Sequence, residues 1–352
     1  MRSVFFWEGA GLSLTQANPY GGLLARGLAA AGVELVAGYA KEFNRAWVEA
    51  NRGVVDVLHI NWPHTLYDAP ELAERVARGA EFIANLALAR ELGYKVVWTV
   101  HNLFPHDSQN HELDRLIRLA LVQYCTALIV HCEEARRLVQ HHFQRTEKVF
   151  VIPHGHFIDA YPNSISRAEA RRQLDIGDDR FVYLFFGNVR RYKGLEQLLA
   201  TFHELPDPNS VLLLAAKVFN AYGDDFVEQA RQRDPRIIIR SSRFFANEEF
   251  QLFFNAADVG VLPFVDVLTS GSTITALSFG LPVIVPAVGC LPELVDDRVG
   301  ICYDQQKADA LPAAMRAIQQ RDLTPLRQAA YVRAQSLDWV TIGRRTVAAY
   351  QA

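Results

Sequence analysis

Apolar residues along this chain follow two recurring patterns. Short continuous runs rich in Val, Ile, Leu and Phe alternate with longer stretches in which apolar positions return every three or four residues. The first pattern belongs to strands buried on both faces and the second to amphipathic helices, so their alternation predicts a parallel sheet wrapped by helices, an α/β fold. In the first half the predicted strands are SVFFW (3–7), VELVA (33–37), VDVLHI (55–60), KVVWTV (95–100), ALIVH (127–131) and KVFVIP (148–153). Helices are predicted near 20–31, 71–92, 110–124 and 133–142, the second of them closed by Gly93 as a C-cap. The pattern restarts with RFVYLFFG (180–187), VLLLAA (211–216), RIIIRS (236–241), DVGVLPF (258–264) and LPVIVP (281–286), with helices near 194–203, 224–233, 247–256, 272–279 and 307–320.

Between the halves, Pro153, Gly155 and Pro162 with several polar residues predict a hinge over 154–175, and 324–351 reads as helical. The resulting expectation is an N-terminal Rossmann-like domain over 1–160, a C-terminal one over 170–330, and a helix over 331–352 packing back across the hinge. Ligands of such sheets bind beyond the carboxyl ends of the strands, at helix N-termini. A chain of 352 residues is too long for one ordinary core, which agrees with two domains.

Charge narrows the partners. The 36 basic and 39 acidic side chains give a net charge of −3, which argues against nucleic acid as the main partner. The four cysteines lack metal-ligand spacing. The opening MRSVFFWEGAGL has too short an apolar run for a signal peptide, and no window approaches eighteen uninterrupted apolar residues, so a cytoplasmic protein is expected. EEARRLVQHHFQR (133–145) reads first as a solvated helix face, with peripheral membrane contact as the alternative.

The candidate chemistry begins at GNVRRYKG (187–194), where a strand gives way to a helix. Gly187 permits a sharp exit from the strand, and Arg190, Arg191 and Lys193 stand next to the free N–H groups of the following helix, a turn suited to phosphate oxygens. A second cradle follows in the same half. Ser270, Gly271, Ser272 and Thr273 open the helix ITALSFG with small hydroxylated residues. Alone, the first reads more readily as a solvated basic turn and the second can be merely a helix cap; two after strands of one domain suggest a diphosphate gripped from two sides.

These motifs resemble those of GT-B glycosyltransferases of the family-4 type. The family's G-R-x-x-x-x-K-G is matched at Gly187, Lys193 and Gly194, with Asn188 in place of the arginine, so the charge falls to Arg190 or Arg191. GLPVIVPAVGCLPELV (280–295) followed by Gly300 is similar to the family's G-x-P-V-V…G-G-x-P-E-L-V run. NPYGG, with Gly21 and Gly22, resembles its N-terminal glycine loop, and TVHNLFPHD places His101 where the family has a cleft histidine. One departure stands out: the two glutamates expected eight positions apart before G-x-P-V are Val267 and Thr275. Similar variants occur among bacterial β-mannosyltransferases that use GDP-mannose and a lipid-linked acceptor.

The resemblance implies two Rossmann-like domains facing across a cleft and transfer of a hexose, with a lean to mannose, from a GDP- or UDP-linked donor to a glycan or glycolipid. It implies no cofactor and no metal, and the sequence has no Asp-x-Asp near a strand end. Lys193 and Arg190 are the expected stabilisers of the leaving diphosphate, with Asn188, Arg191, Gly194 and Thr275 joining the two cradles in holding the donor. A retaining enzyme needs no protein base; an inverting one would draw on His101, His106, Asp107 or, next, Glu8. Trp62 and His64 in HINWPH, with Gly21, Gly22 and His106, are the expected acceptor side. A sugar-nucleotide 2-epimerase on the same fold and an inactive partner protein remain as alternatives.

Overall fold

A computed structural model describes residues 1–6, 12, 14, 18–106 and 108–352. Trp7 to Gly11, Glu8 among them, and Asp107 lie outside the described residues. The chain divides into two compact units, Met1–Gly155 with Leu337–Ala352, and His156–Ser336.

The first unit runs β1 (Arg2–Phe6), α1 (Tyr20–Ala29), β2 (Glu34–Gly38), α2 (Arg45–Ala50), β3 (Val57–Ile60), α3 (Leu72–Glu91), β4 (Lys95–Thr99), α4 (His111–Tyr124), β5 (Ala127–Val130), α5 (Glu133–Phe143) and β6 (Val149–Val151). Its strands form a parallel sheet in the order β2-β1-β3-β4-β5-β6. The central strands β3, β4 and β5 are buried almost throughout, as a sheet covered on both faces requires. α4 starts where the Asn110 side chain accepts the Leu113 N–H, and α3 ends before Gly93, whose φ of +92° only glycine adopts without cost.

The second unit runs α6 (Arg167–Leu174), β7 (Phe181–Asn188), α7 (Leu195–His203), β8 (Ser210–Lys217), α8 (Ala221–Arg233), β9 (Ile237–Ser242), α9 (Asn247–Ala256), β10 (Val259–Val261), α10 (Gly271–Ser278), β11 (Val283–Pro286), α11 (Leu291–Leu294), β12 (Gly300–Tyr303), α12 (Ala310–Gln319) and α13 (Leu323–Gln335). Its parallel sheet has the order β12-β11-β10-β7-β8-β9. Strand order therefore reverses between β7 and β10, and the loops leaving these two strands flank the point where open α/β sheets bind ligands.

Three features differ from the sequence expectation. The stretch 324–351 is not one helix: α13 belongs to the second unit, and α14 (Trp339–Gln351) returns to the first. There α14 lies on α1 at van der Waals range, because Gly27 and Gly343 face each other; a Cβ on Gly343 would sit 2.0 Å from the Gly27 carbonyl. The span 154–175 is not wholly a hinge, since Ser166 caps α6 through the Glu169 N–H inside it. β12, with only four residues, adds an edge strand that the apolar runs did not announce.

Candidate functional site

β7 is an eight-residue strand whose interior residues are all buried, so the chain can turn only at its end. It does so at Gly187, with φ at +142°, and again at Gly194, with φ at +68°. Arg191 to Lys193 form a single 3₁₀ turn between them, closed by the Lys193 and Gly194 N–H groups on the Arg190 and Arg191 carbonyls. The turn is laced to the loop after β10: the Val265 N–H donates to the Tyr192 carbonyl, and a Cβ on Gly194 would come within 1.9 Å of the Pro263 oxygen.

The two cradles meet. A Cβ built on Gly187 would lie 3.3 Å from Ser272 Oγ and 3.9 Å from Lys193 Nζ, so a hydroxyl, an ammonium and a bare backbone edge converge. Ser272 gets there because Ser270 caps α10, its Oγ accepting the Thr273 N–H at 3.1 Å. Lys193 is only 8% exposed, its Nζ 4.6 Å above the Phe264 ring and 5.3 Å from that of Tyr192. Among the described residues no carboxylate lies within ion-pair distance of it. Burial pushes its pKa down from 10.5 to about 8. A desolvated ammonium at a helix entry, with a hydroxyl beside it, is an arrangement that favours an anion.

The other donor-side candidates separate. Gly271 is exposed at the head of α10, with only the Phe157 ring near its Cβ position. Thr273 is fully buried and its Oγ1 donates to Ser270 Oγ; Thr275 Oγ1 donates to the Gly271 carbonyl at 2.8 Å. Both hydroxyls thus donate inside the helix. Asn188 is half-buried beside the turn, and Arg190 half-buried at its head. Arg191 is exposed and spreads over the Tyr222 ring, 4.7 Å from its centroid. One residue was missed. Lys217 ends β8 in register with Asn188, its Nζ 5.5 and 5.2 Å from the ring centroids of Phe186 and Phe250. Its sequence signal was a lone cation closing an otherwise apolar eight-residue strand.

In the first unit four neighbouring strands carry a histidine in or just beyond them: His59 in β3, His101 after β4, His131 after β5 and His154 after β6, all buried. His131 Nδ1 donates to the Ile152 carbonyl, and its Nε2 lies 3.3 Å from His101 Nδ1. His101 Nε2–H donates to Asn61 Oδ1 at 2.9 Å, and Trp62 stacks on the ring, 4.5 Å between centroids. Burial holds all four imidazoles neutral, lowering His59 and His154 to about 3, His131 to about 4, and His101 well below its ordinary value. With both nitrogens against partners inside the unit, the His101 ring is fixed in place.

Around it, His64 is half-buried and its pKa falls to about 4, chiefly through burial and then Arg118, with His106 a lesser contributor. His106 is exposed. Gly21 and Gly22 are helical residues of α1, not loop glycines; a Cβ on Gly22 would come 2.7 Å from the Leu12 carbonyl, so their smallness is used for packing. Among the described residues no group of three His, Cys, Asp or Glu side chains is placed to hold a metal ion. None of their helices is long and apolar enough to cross a membrane.

Comparison with known proteins bears on this geometry. A family model described as glycosyl transferases group 1 matches residues 180–321, and one described as glycosyltransferase family 4 matches residues 22–159. The chain belongs to the GT-B glycosyltransferases of the family-4 type. Within this family it is 29% identical over 234 residues to a GDP-mannose:glycolipid 4-beta-D-mannosyltransferase of Xanthomonas campestris, an alignment taking in 66% of this chain and 61% of that protein. A D-inositol 3-phosphate glycosyltransferase of Geodermatophilus obscurus is also 29% identical, over 62% of this chain and 51% of its own length. The chain thus spans about three-fifths or less of these two relatives. Sucrose-phosphate synthase of Thermosynechococcus elongatus shares the fold over 99% of this chain and 98% of its own, with a TM-score of 0.77 at 19% identity. The Anabaena protein HepE, crystallised with UDP and glucose, does so over 99% and 98%, with a TM-score of 0.71 at 16% identity.

Proposed function

We propose that this GT-B glycosyltransferase moves a hexose, mannose first among the candidates, from a nucleoside-diphosphate sugar to a glycan or lipid-linked saccharide. The observation that carries the reading is the convergence of Ser272 Oγ and Lys193 Nζ on the bare edge of Gly187. Breaking the sugar–phosphate bond leaves negative charge on the diphosphate. An ammonium already desolvated against Phe264 and a hydroxyl at the head of α10 stabilise that charge without reorganising. In this proposal the lysine and the helix end do the neutralising that a metal does elsewhere. The Xanthomonas relative supports a GDP-mannose donor and a glycolipid acceptor.

The proton of the acceptor hydroxyl needs a taker. His101 has both nitrogens against partners inside the unit, so an inverting reaction would draw on Asp107, His106 or Glu8, and a retaining one on the leaving phosphate. Asp107→Asn should slow an enzyme that inverts through Asp107 about a hundred- to ten-thousand-fold and leave a retaining one near its normal rate, with the anomeric product read by NMR. The function itself is tested by incubating the protein with GDP-mannose, UDP-glucose and saccharide acceptors and weighing the products. Mass gain of one hexose, lost in Lys193→Ala, is expected. No transfer from any sugar nucleotide, or full transfer by Lys193→Ala, overturns the reading.

A further inference from the structure

Lys217 is unexplained by the diphosphate cradle. It is the last residue of β8, in register with Asn188 on one side and Ser242 on the other, so its ammonium stands at the carboxyl edge between an amide on β7 and a hydroxyl on β9 that is already bonded to the Phe244 backbone. Its ammonium rests on the faces of Phe186 and Phe250, and Phe250 is itself stacked on Tyr161 with centroids 4.0 Å apart. Burial lowers its pKa, and among the described residues no carboxylate or carbonyl is within hydrogen-bond distance of Nζ. A lysine kept half out of water without a partner is expensive unless a ligand supplies the acceptor.

The position says which part of a ligand that is. Lys193 and Ser272 hold the β7–β10 side of the sheet edge, where the diphosphate belongs. Adjacent strands are about 4.8 Å apart, so Lys217 and Ser242 stand roughly one and two strand spacings away on the opposite side, the span of a nucleoside attached to that diphosphate. A ring-lined place with a donor-only group suits a flat heterocycle that presents a carbonyl oxygen.

We propose that Lys217 selects the nucleobase of the donor by donating to the keto oxygen of guanine or uracil. Adenine and cytosine carry an amino group at the corresponding edge, and an ammonium facing an amino group has nothing to donate to. The inference rests on the sugar-nucleotide reading and adds the base class to it.

The test is calorimetric titration of GDP, UDP, ADP and CDP into the wild-type protein, Lys217→Met and Lys217→Gln, each checked by thermal melting. Wild type should prefer GDP or UDP over ADP and CDP by about tenfold or more. Lys217→Met should bring the four within about threefold by weakening the keto bases alone. Lys217→Gln, whose amide can also accept, should raise ADP or CDP relative to wild type. Equal weakening of all four would make Lys217 a phosphate contact and overturn the proposal, as would a preference that survives both substitutions. Wild-type binding without base preference sinks only this inference; no binding of any of the four sinks the sugar-nucleotide reading with it.

Discussion

Burial makes Lys193 a cost to the free protein, and the proposed diphosphate contact would make it a gain in the complex; the two effects have opposite pH dependence. The folded chain sheds its proton near 8, whereas an unfolded lysine keeps it to about 10.5. Between these values the unfolded state binds more protons, so this group's contribution to stability rises with pH across about 8 to 10.5. Diphosphate binding needs the ammonium and should weaken as pH rises through about 8. Titrating GDP and UDP at pH 7, 8 and 9 beside denaturant melts at the same pH values checks both slopes, and Lys193→Ala should flatten both. Affinity independent of pH over this range contradicts the assignment. Gly187 is the second single-residue dependence: a side chain there would meet Ser272 and Lys193, so Gly187→Val should weaken nucleotide binding at least tenfold.

At the scale of elements, the site is made by two loop closures. Gly194 lets the turn after β7 touch the Pro263 carbonyl, and Ser270 starts α10 at the height where Ser272 meets Gly187. Gly194→Ala places a Cβ against backbone at a positive φ and should cost about 1–3 kcal/mol or more. Ser270→Ala should cost about 1 kcal/mol, and both are read from urea melts. Unchanged midpoints would mean that these contacts do not hold the site. Much of this was legible beforehand. The core strands announced themselves as long apolar runs, and GNVRRYKG and SGST stood out because charge and small residues clustered where those runs ended. Lys217 escaped because a single cation at a strand end has no pattern of its own. β12 was too short and too mixed to read; a C-terminal helix packing back was expected, but the Gly27–Gly343 approach that seats α14 on α1 has no local signal.

For the whole molecule, the four buried histidines make acid the weak side. His59, His101, His131 and His154 are neutral when folded, with pKa values pushed below the ordinary 6.5, to about 3 or 4 where a value is resolved. The unfolded chain takes up protons from about 6.5 downward while the folded one does not, so stability is lost as pH falls through that window, by up to about 1.4 kcal/mol per pH unit for each group. Urea melts from pH 7 to 4 should show the first unit failing before the second, which has no such cluster among its described residues. Equal acid sensitivity of the two units would contradict this.

The most direct test of the central claim is a crystal structure with a bound sugar nucleotide. The diphosphate should lie within about 2.7–3.2 Å of Lys193 Nζ and Ser272 Oγ, against the bare edge of Gly187. A nucleotide bound elsewhere, with Lys193 still against Phe264 and touching no phosphate oxygen, would contradict it.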